Sequence, residues 1–121
     1  MITATTPNSL FRLGSMLYDV QAWDEAGRIF ARVSELLPDS SSPHHMRAMS
    51  LTNSAKYPEA LGEYRAAIKA NASSSQSYNN MGVLLAKLGH ATEALQAYND
   101  ALVVDPEYQD ALQNIKHLHR F

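Results

Sequence analysis

Residues Tyr78 to Pro106, YNNMGVLLAKLGHATEALQAYNDALVVDP, hold two helical patterns joined by a short break. Tyr78, Met81, Gly82 and Leu85 recur at i, i+3, i+4 and i+7, the spacing of one helix face. Gly89 and His90 interrupt that pattern, and a second one follows on Ala94, Leu95, Tyr98, Ala101 and Leu102 until Pro106 stops it. A hairpin of this kind cannot bury its apolar face alone, so the pattern is expected to recur.

It recurs at a shift of 34 residues. Gly82 answers to Ala48 and Gly14, Leu85 to Leu51 and Leu17, Glu93 to Glu59 and Glu25, and Ala94 to Ala60 and Ala26. Tyr98 answers to Tyr64 and Phe30, Ala101 to Ala67 and Val33, and Pro106 to Ala72 and Pro38. A helical hairpin repeating at this period is the signature of a stacked repeat array. On these residues the chain resembles the tetratricopeptide repeat family, from Pro7 to Tyr108 in one register. The resemblance implies an all-α, right-handed helical-hairpin solenoid of seven helices. Its units are 7–40, 41–74 and 75–108, after a flexible lead over 1–6 and before a capping helix over 109–121.

In the lead and the first unit, Thr6 or Asn8 is a candidate cap, with Pro7 in the first turn, where its missing N–H costs nothing. Leu10, Leu13, Gly14 and Leu17 are expected to face inward, as are Ala26, Ile29, Phe30, Val33 and Leu37 after the Trp23 junction. Asp24 and Glu25 suit the start of the second helix because its dipole is positive there. In the middle unit Ser42 reads as the cap and Pro43 as a first-turn residue. His44 and Arg47 then stand where the other units place Leu10 or Tyr78 and Leu13 or Met81. They mark either an adapted surface or an Arg47 stem laid on apolar neighbours with its charge in water. Asn71 to Ser75 reads as a polar turn. After Pro106, Tyr108, Ala111, Leu112, Ile115 and Leu118 form one stripe, with Gln109, Asp110, Gln113, Lys116 and Arg120 polar. A lone helix at this point reads as the cap over the last unit.

The chain has 121 residues, no cysteine and a net charge of −2. That excludes disulfides and thiolate metal sites, and the balance is too even for an electrostatic nucleic-acid footprint. The opening MITATTPNSLFRLG has no apolar run of the signal-peptide kind, and no window approaches the ~18 apolar residues of a membrane span. A cytoplasmic protein without membrane insertion is expected. His44–His45 and His117-x-His119 lack the i, i+4 spacing of a helical metal site. No nucleophile elbow or phosphate-binding glycine loop is present. The sequence therefore predicts no metal, no cofactor and no catalysis. Locally, residues 41–74 are basic, with Arg47, Lys56, Arg65 and Lys69 against Glu59 and Glu63.

The family resemblance implies a concave groove lined by the first helix of each unit. In this chain that lining is Asn8, Phe11, Arg12, Ser15, Tyr18 and Asp19, then Ser42, His45, Met46, Met49, Thr52 and Asn53. Gln76, Asn79, Asn80, Val83, Ala86 and Lys87 follow, with Gln113 and His117 from the cap. Phe11, Tyr18, Met46, Met49 and Val83 are apolar residues on a face that core packing is not expected to use, and methionine adapts to varied ligands. The amides of Asn79 and Asn80 either hold a ligand backbone or, at Asn80, tie neighbouring helices. The family's carboxylate clamp for heat-shock chaperone tails needs lysine, two asparagines, lysine and arginine where this chain has Phe11, Ser15, Met46, Gln76 and Asn80. The resemblance thus implies a protein or peptide partner other than that tail. A self-associating scaffold module, a homo-oligomer, is the alternative.

Overall fold

The computed structural model describes residues 6–118, and these contain seven helices and no strand. The lead residues 1–5 and the positions His119, Arg120 and Phe121 lie outside the described residues. The helices are α1 (Pro7–Asp19), α2 (Trp23–Leu36), α3 (Ser41–Asn53), α4 (Tyr57–Ala70), α5 (Ser75–Lys87), α6 (Ala91–Val104) and α7 (Gln109–Leu118). The chain divides into two compact units, Met1–Ala70 and Asn71–Phe121. In the first unit α1 packs on α2, α2 on α3 and α3 on α4. In the second α5 packs on α6 and α6 on α7. None of the described helices is long and apolar enough to cross a membrane.

Local chemistry sets the helix starts. Thr6, not Asn8, caps α1: its hydroxyl accepts the Ser9 backbone N–H at 3.1 Å, and the Ser9 hydroxyl receives the Thr6 N–H in return. The Ser74 hydroxyl caps α5 by accepting the Ser77 N–H at 3.2 Å. In α3 the expected Ser42 cap is corrected to Ser40, which makes no side-chain capping bond. The reason is Pro43, which occupies the third helical position and has no N–H for a cap to accept. Because proline is tolerated throughout the first turn, its presence did not locate the cap.

The helix ends share one device. Gln21, Ala55 and Gly89 follow α1, α3 and α5 with φ of 65°, 61° and 84°. Each begins the same pair of closing bonds: Gln21 N–H to Tyr18 C=O with Ala22 N–H to Leu17 C=O, then the equivalents from Ala55 and Lys56, and from Gly89 and His90. Left-handed backbone at this point satisfies carbonyls that the helix leaves open. Only Gly89 adopts it without a side-chain penalty.

The core repeats as the sequence requires. Phe30, Tyr64 and Tyr98 are buried, as are Ala26, Ala60 and Ala94 and the set Val33, Ala67 and Ala101. The small residues of the first helices lie under the aromatic rings. A Cβ on Gly14 would stand 2.9 Å from the Phe30 ring, and one on Gly82 would stand 2.5 Å from the Tyr98 ring. Burial of one such aromatic side chain contributes roughly 1.5–3 kcal/mol. A further glycine contact, absent from the periodic reading, joins α2 to α3, where Gly27 is buried beside Ser50.

Two inward assignments are corrected. Leu13 is 42% exposed and Leu37 is 40% exposed. Leu13 lies on the side of α1 that no described helix of its unit covers, and Leu37 falls just past the end of α2 as its C-cap.

Candidate functional site

In the first unit the residues expected to line a groove lie on α1 and α3. Phe11 is half-buried, and its ring meets Phe30 edge-on with centroids 5.3 Å apart. Tyr18 meets Trp23 edge-on at 4.9 Å, and its hydroxyl accepts the Asn53 amide at 3.1 Å. The expectation that core packing does not use Phe11 and Tyr18 is therefore corrected: one face of each ring completes its hairpin. The cause is the glycine at position 14, which lets Phe30 approach α1 closely enough to meet Phe11 one turn away.

His45 meets the Tyr64 ring at 5.8 Å, and burial pushes its imidazole pKa below the ordinary value of 6.5. Met46 and Met49 are half-buried. Thr52 donates to the Ala48 carbonyl, and Asn53 also donates to the Met49 carbonyl. Asn8, Arg12, Asp19 and Ser42 are exposed, and Ser15 is half-buried.

His44 and Arg47 have a definite role in this unit. His44 Nδ1 lies 2.9 Å from Glu63 Oε1, and Arg47 Nη1 donates to Glu63 Oε2 at 3.2 Å. Arg47 does not simply extend its charge into water. A His–Glu–Arg cluster replaces the apolar residues that stand at the same positions in the first hairpin, Leu10, Leu13 and Ile29. Glu63 stands outside the sequence reading because it takes the place of the apolar Ile29 in the first hairpin, so the repeat pattern gives no partner for it.

In the second unit α5, α6 and α7 enclose a cleft of about 550 Å³. Val83, Ala86 and Lys87 of α5 line it, together with Ala91 and Tyr98 of α6 and Asn114, His117 and Leu118 of α7. Burial raises the Tyr98 phenol above its usual range. Beside the cleft, Asn114 Nδ2 donates to Asn79 Oδ1 at 2.9 Å, and Asn79 is 4% exposed. Asn79 thus ties α5 to α7, while Asn80 is half-buried and Gln76, Gln113, Lys87 and His117 are exposed. Ala91, Tyr98, Asn114 and Leu118 lie outside the expected lining. Tyr98 reads from the sequence as a core residue alone, and Asn114 and Leu118 reach the cleft from α7.

Comparison with known proteins accords with this geometry. A family model described as tetratricopeptide repeat matches residues 45–112, more than half of the chain. The heat shock protein STI1 of Saccharomyces cerevisiae is 28% identical over 111 residues, which is 88% of this chain and 18% of that protein. The chain therefore spans less than a fifth of that relative's length. Among solved structures, the Arabidopsis OM64 TPR domain superposes with a TM-score of 0.90 at 18% identity, covering 94% of each chain. The first TPR of Spaghetti (RPAP3), bound to the HSP90 peptide SRMEEVD, superposes at 0.89 with 19% identity, covering 97% of this chain and 93% of that one. At these identities the likeness establishes the fold, an all-helical hairpin repeat. Together with the family match and the recurrence of its small and aromatic positions, it places this chain in the tetratricopeptide repeat family.

Proposed function

We propose that this chain is a non-catalytic protein-interaction module built of repeats 7–40, 41–74 and 75–108 and a capping helix over 109–121. It takes a peptide or helical segment of a partner. The observation that carries this reading is the α5–α7 cleft: its volume lies within the range of small ligand sites, and its lining is apolar with a few polar groups at the edge. Val83, Ala86, Tyr98 and Leu118 suit an apolar side chain of the partner, and Lys87 and His117 suit its backbone or an acidic neighbour, with the Asn80 amide one turn before Val83 on α5 as a further contact. In the first unit, Met46 and Met49, with Ser15, Thr52 and Asn53 beside them, form a second contact surface that adapts to the partner's shape.

The partner is not an acidic chaperone tail. The RPAP3 structure carries an HSP90 peptide, but in this chain the positions of the family's clamp hold Phe11, Ser15, Met46, Gln76 and Asn80, none of them cationic. Without lysine or arginine there, nothing pairs with the tail's carboxylates.

Peptides selected by display against the whole chain, followed by amide chemical-shift mapping, test both statements. The expected outcome is peptides with apolar anchors whose shifts centre on Val83, Ala86 and α7. Val83→Glu should weaken them by at least about tenfold, a loss of about 1.4 kcal/mol. Shifts centred on Arg65 and α4, or enrichment of tails ending in acidic residues, would reject the reading.

A further inference from the structure

We infer that a second copy of this chain docks on α1, antiparallel, across the stripe Leu13, Met16 and Val20. These side chains are 42%, 66% and 73% exposed and project from one side of α1. At helical geometry they cover about 10 Å of its length. The corresponding face of α3 shows what such a stripe ordinarily meets. Ser50, which stands at the position of Met16, is 1% exposed and lies against Gly27 of α2. On α1 the same face carries larger and more apolar side chains and is open.

The flanking charges select the occupant and its direction. Arg12 and Asp19 lie beside the stripe on one flank of α1, and neither forms an ion pair among the described residues. Arg12 precedes Met16 by four residues and Asp19 follows it by three. A two-fold axis near Met16 therefore brings Arg12 of each copy level with Asp19 of the other, on the same flank, giving two symmetric ion pairs. A parallel arrangement would put Arg12 opposite the other flank and leave both charges unmatched. The stripe meets itself in the same operation, Leu13 against Val20 and Met16 beside the axis. This surface lies wholly on α1, and its test needs no peptide partner.

Three side chains per copy make a small interface, at the weak end of known ones, so the dimer forms only at high chain concentration. Sedimentation of the full chain from about 10 µM upward should show its mass moving toward a dimer. Met16→Glu should hold it monomeric. Arg12→Glu or Asp19→Lys alone should weaken association by at least about fivefold, and the two together should restore it. Because the chain has no cysteine, Met16→Cys offers a direct readout. Under mild oxidation it should cross-link well ahead of Val103→Cys, which is 81% exposed on α6. A chain that is monomeric throughout overturns the inference. So does association indifferent to Met16→Glu and to the charge reversals, or equal cross-linking at Met16→Cys and Val103→Cys.

Discussion

Gly82 lies directly beneath the ring of Tyr98: a Cβ added there would stand 2.5 Å from Cε1 and 2.7 Å from Cδ1, with the Ala94 carbonyl oxygen at 3.2 Å. The ring, more than the alanine opposite, is what excludes a side chain at this crossing. In the middle hairpin the equivalent first-helix residue is Ala48, buried together with Tyr64, so that crossing accommodates a Cβ.

Replacement of Gly82 should therefore destabilise the protein even though alanine favours a helix by roughly 1 kcal/mol over glycine. Overpacking of this kind costs about 1–3 kcal/mol, and Gly82→Leu should cost more than Gly82→Ala. Urea denaturation checks the order. An unchanged midpoint for Gly82→Leu would show that Tyr98 moves aside freely.

The left-handed turn positions should respond in opposite directions. Gln21→Gly and Ala55→Gly relieve a backbone conformation that disfavours a side chain, so each should raise stability by roughly 0.5–1 kcal/mol. Gly89→Ala should lower it by about the same amount or more. Thermal melts of the three variants test this, and a uniform effect of one sign would contradict it.

The His44–Glu63–Arg47 cluster should tolerate wholesale replacement better than the loss of its centre. Glu63→Ala leaves a half-buried guanidinium and imidazole without their shared acceptor and should cost about 1–3 kcal/mol. Combining Glu63→Ile with His44→Leu and Arg47→Leu installs the first hairpin's residues and should recover most of that loss. A cycle of these variants measures the coupling. Strict additivity would show that the cluster contributes no interaction of its own.

The fold should lose stability on mild acidification through His45. Burial against α4 holds its folded pKa below 6.5, so the unfolded chain binds more protons in the window beneath that value. The contribution is complete above pH 6.5 and is lost as pH falls from there toward the folded pKa. His45→Gln should flatten the part of the stability–pH curve that lies in this window. A slope unchanged by the substitution would place the titration elsewhere.

The sequence by itself determined the repeat, its register and its core, because those depend on contacts that recur at one spacing. Gly14 aligns with Gly82, Ala26 with Ala94 and Phe30 with Tyr98 at one 34-residue shift, so the periodicity assigns the columns, whereas the packing of each glycine under the aromatic ring belongs to the structure. Tertiary structure alone decided what happens where that periodicity is broken. Glu63 joins His44 and Arg47 only because α3 and α4 cross at that level. Asn79 is tied to α7 because Asn114 arrives 35 residues later with a matching amide. Leu13 carries the same apolar signal as any core leucine, yet it is exposed, because burial depends on whether a neighbouring helix covers that face. Chain spacing encodes which side of a helix is apolar, but not what is packed against it.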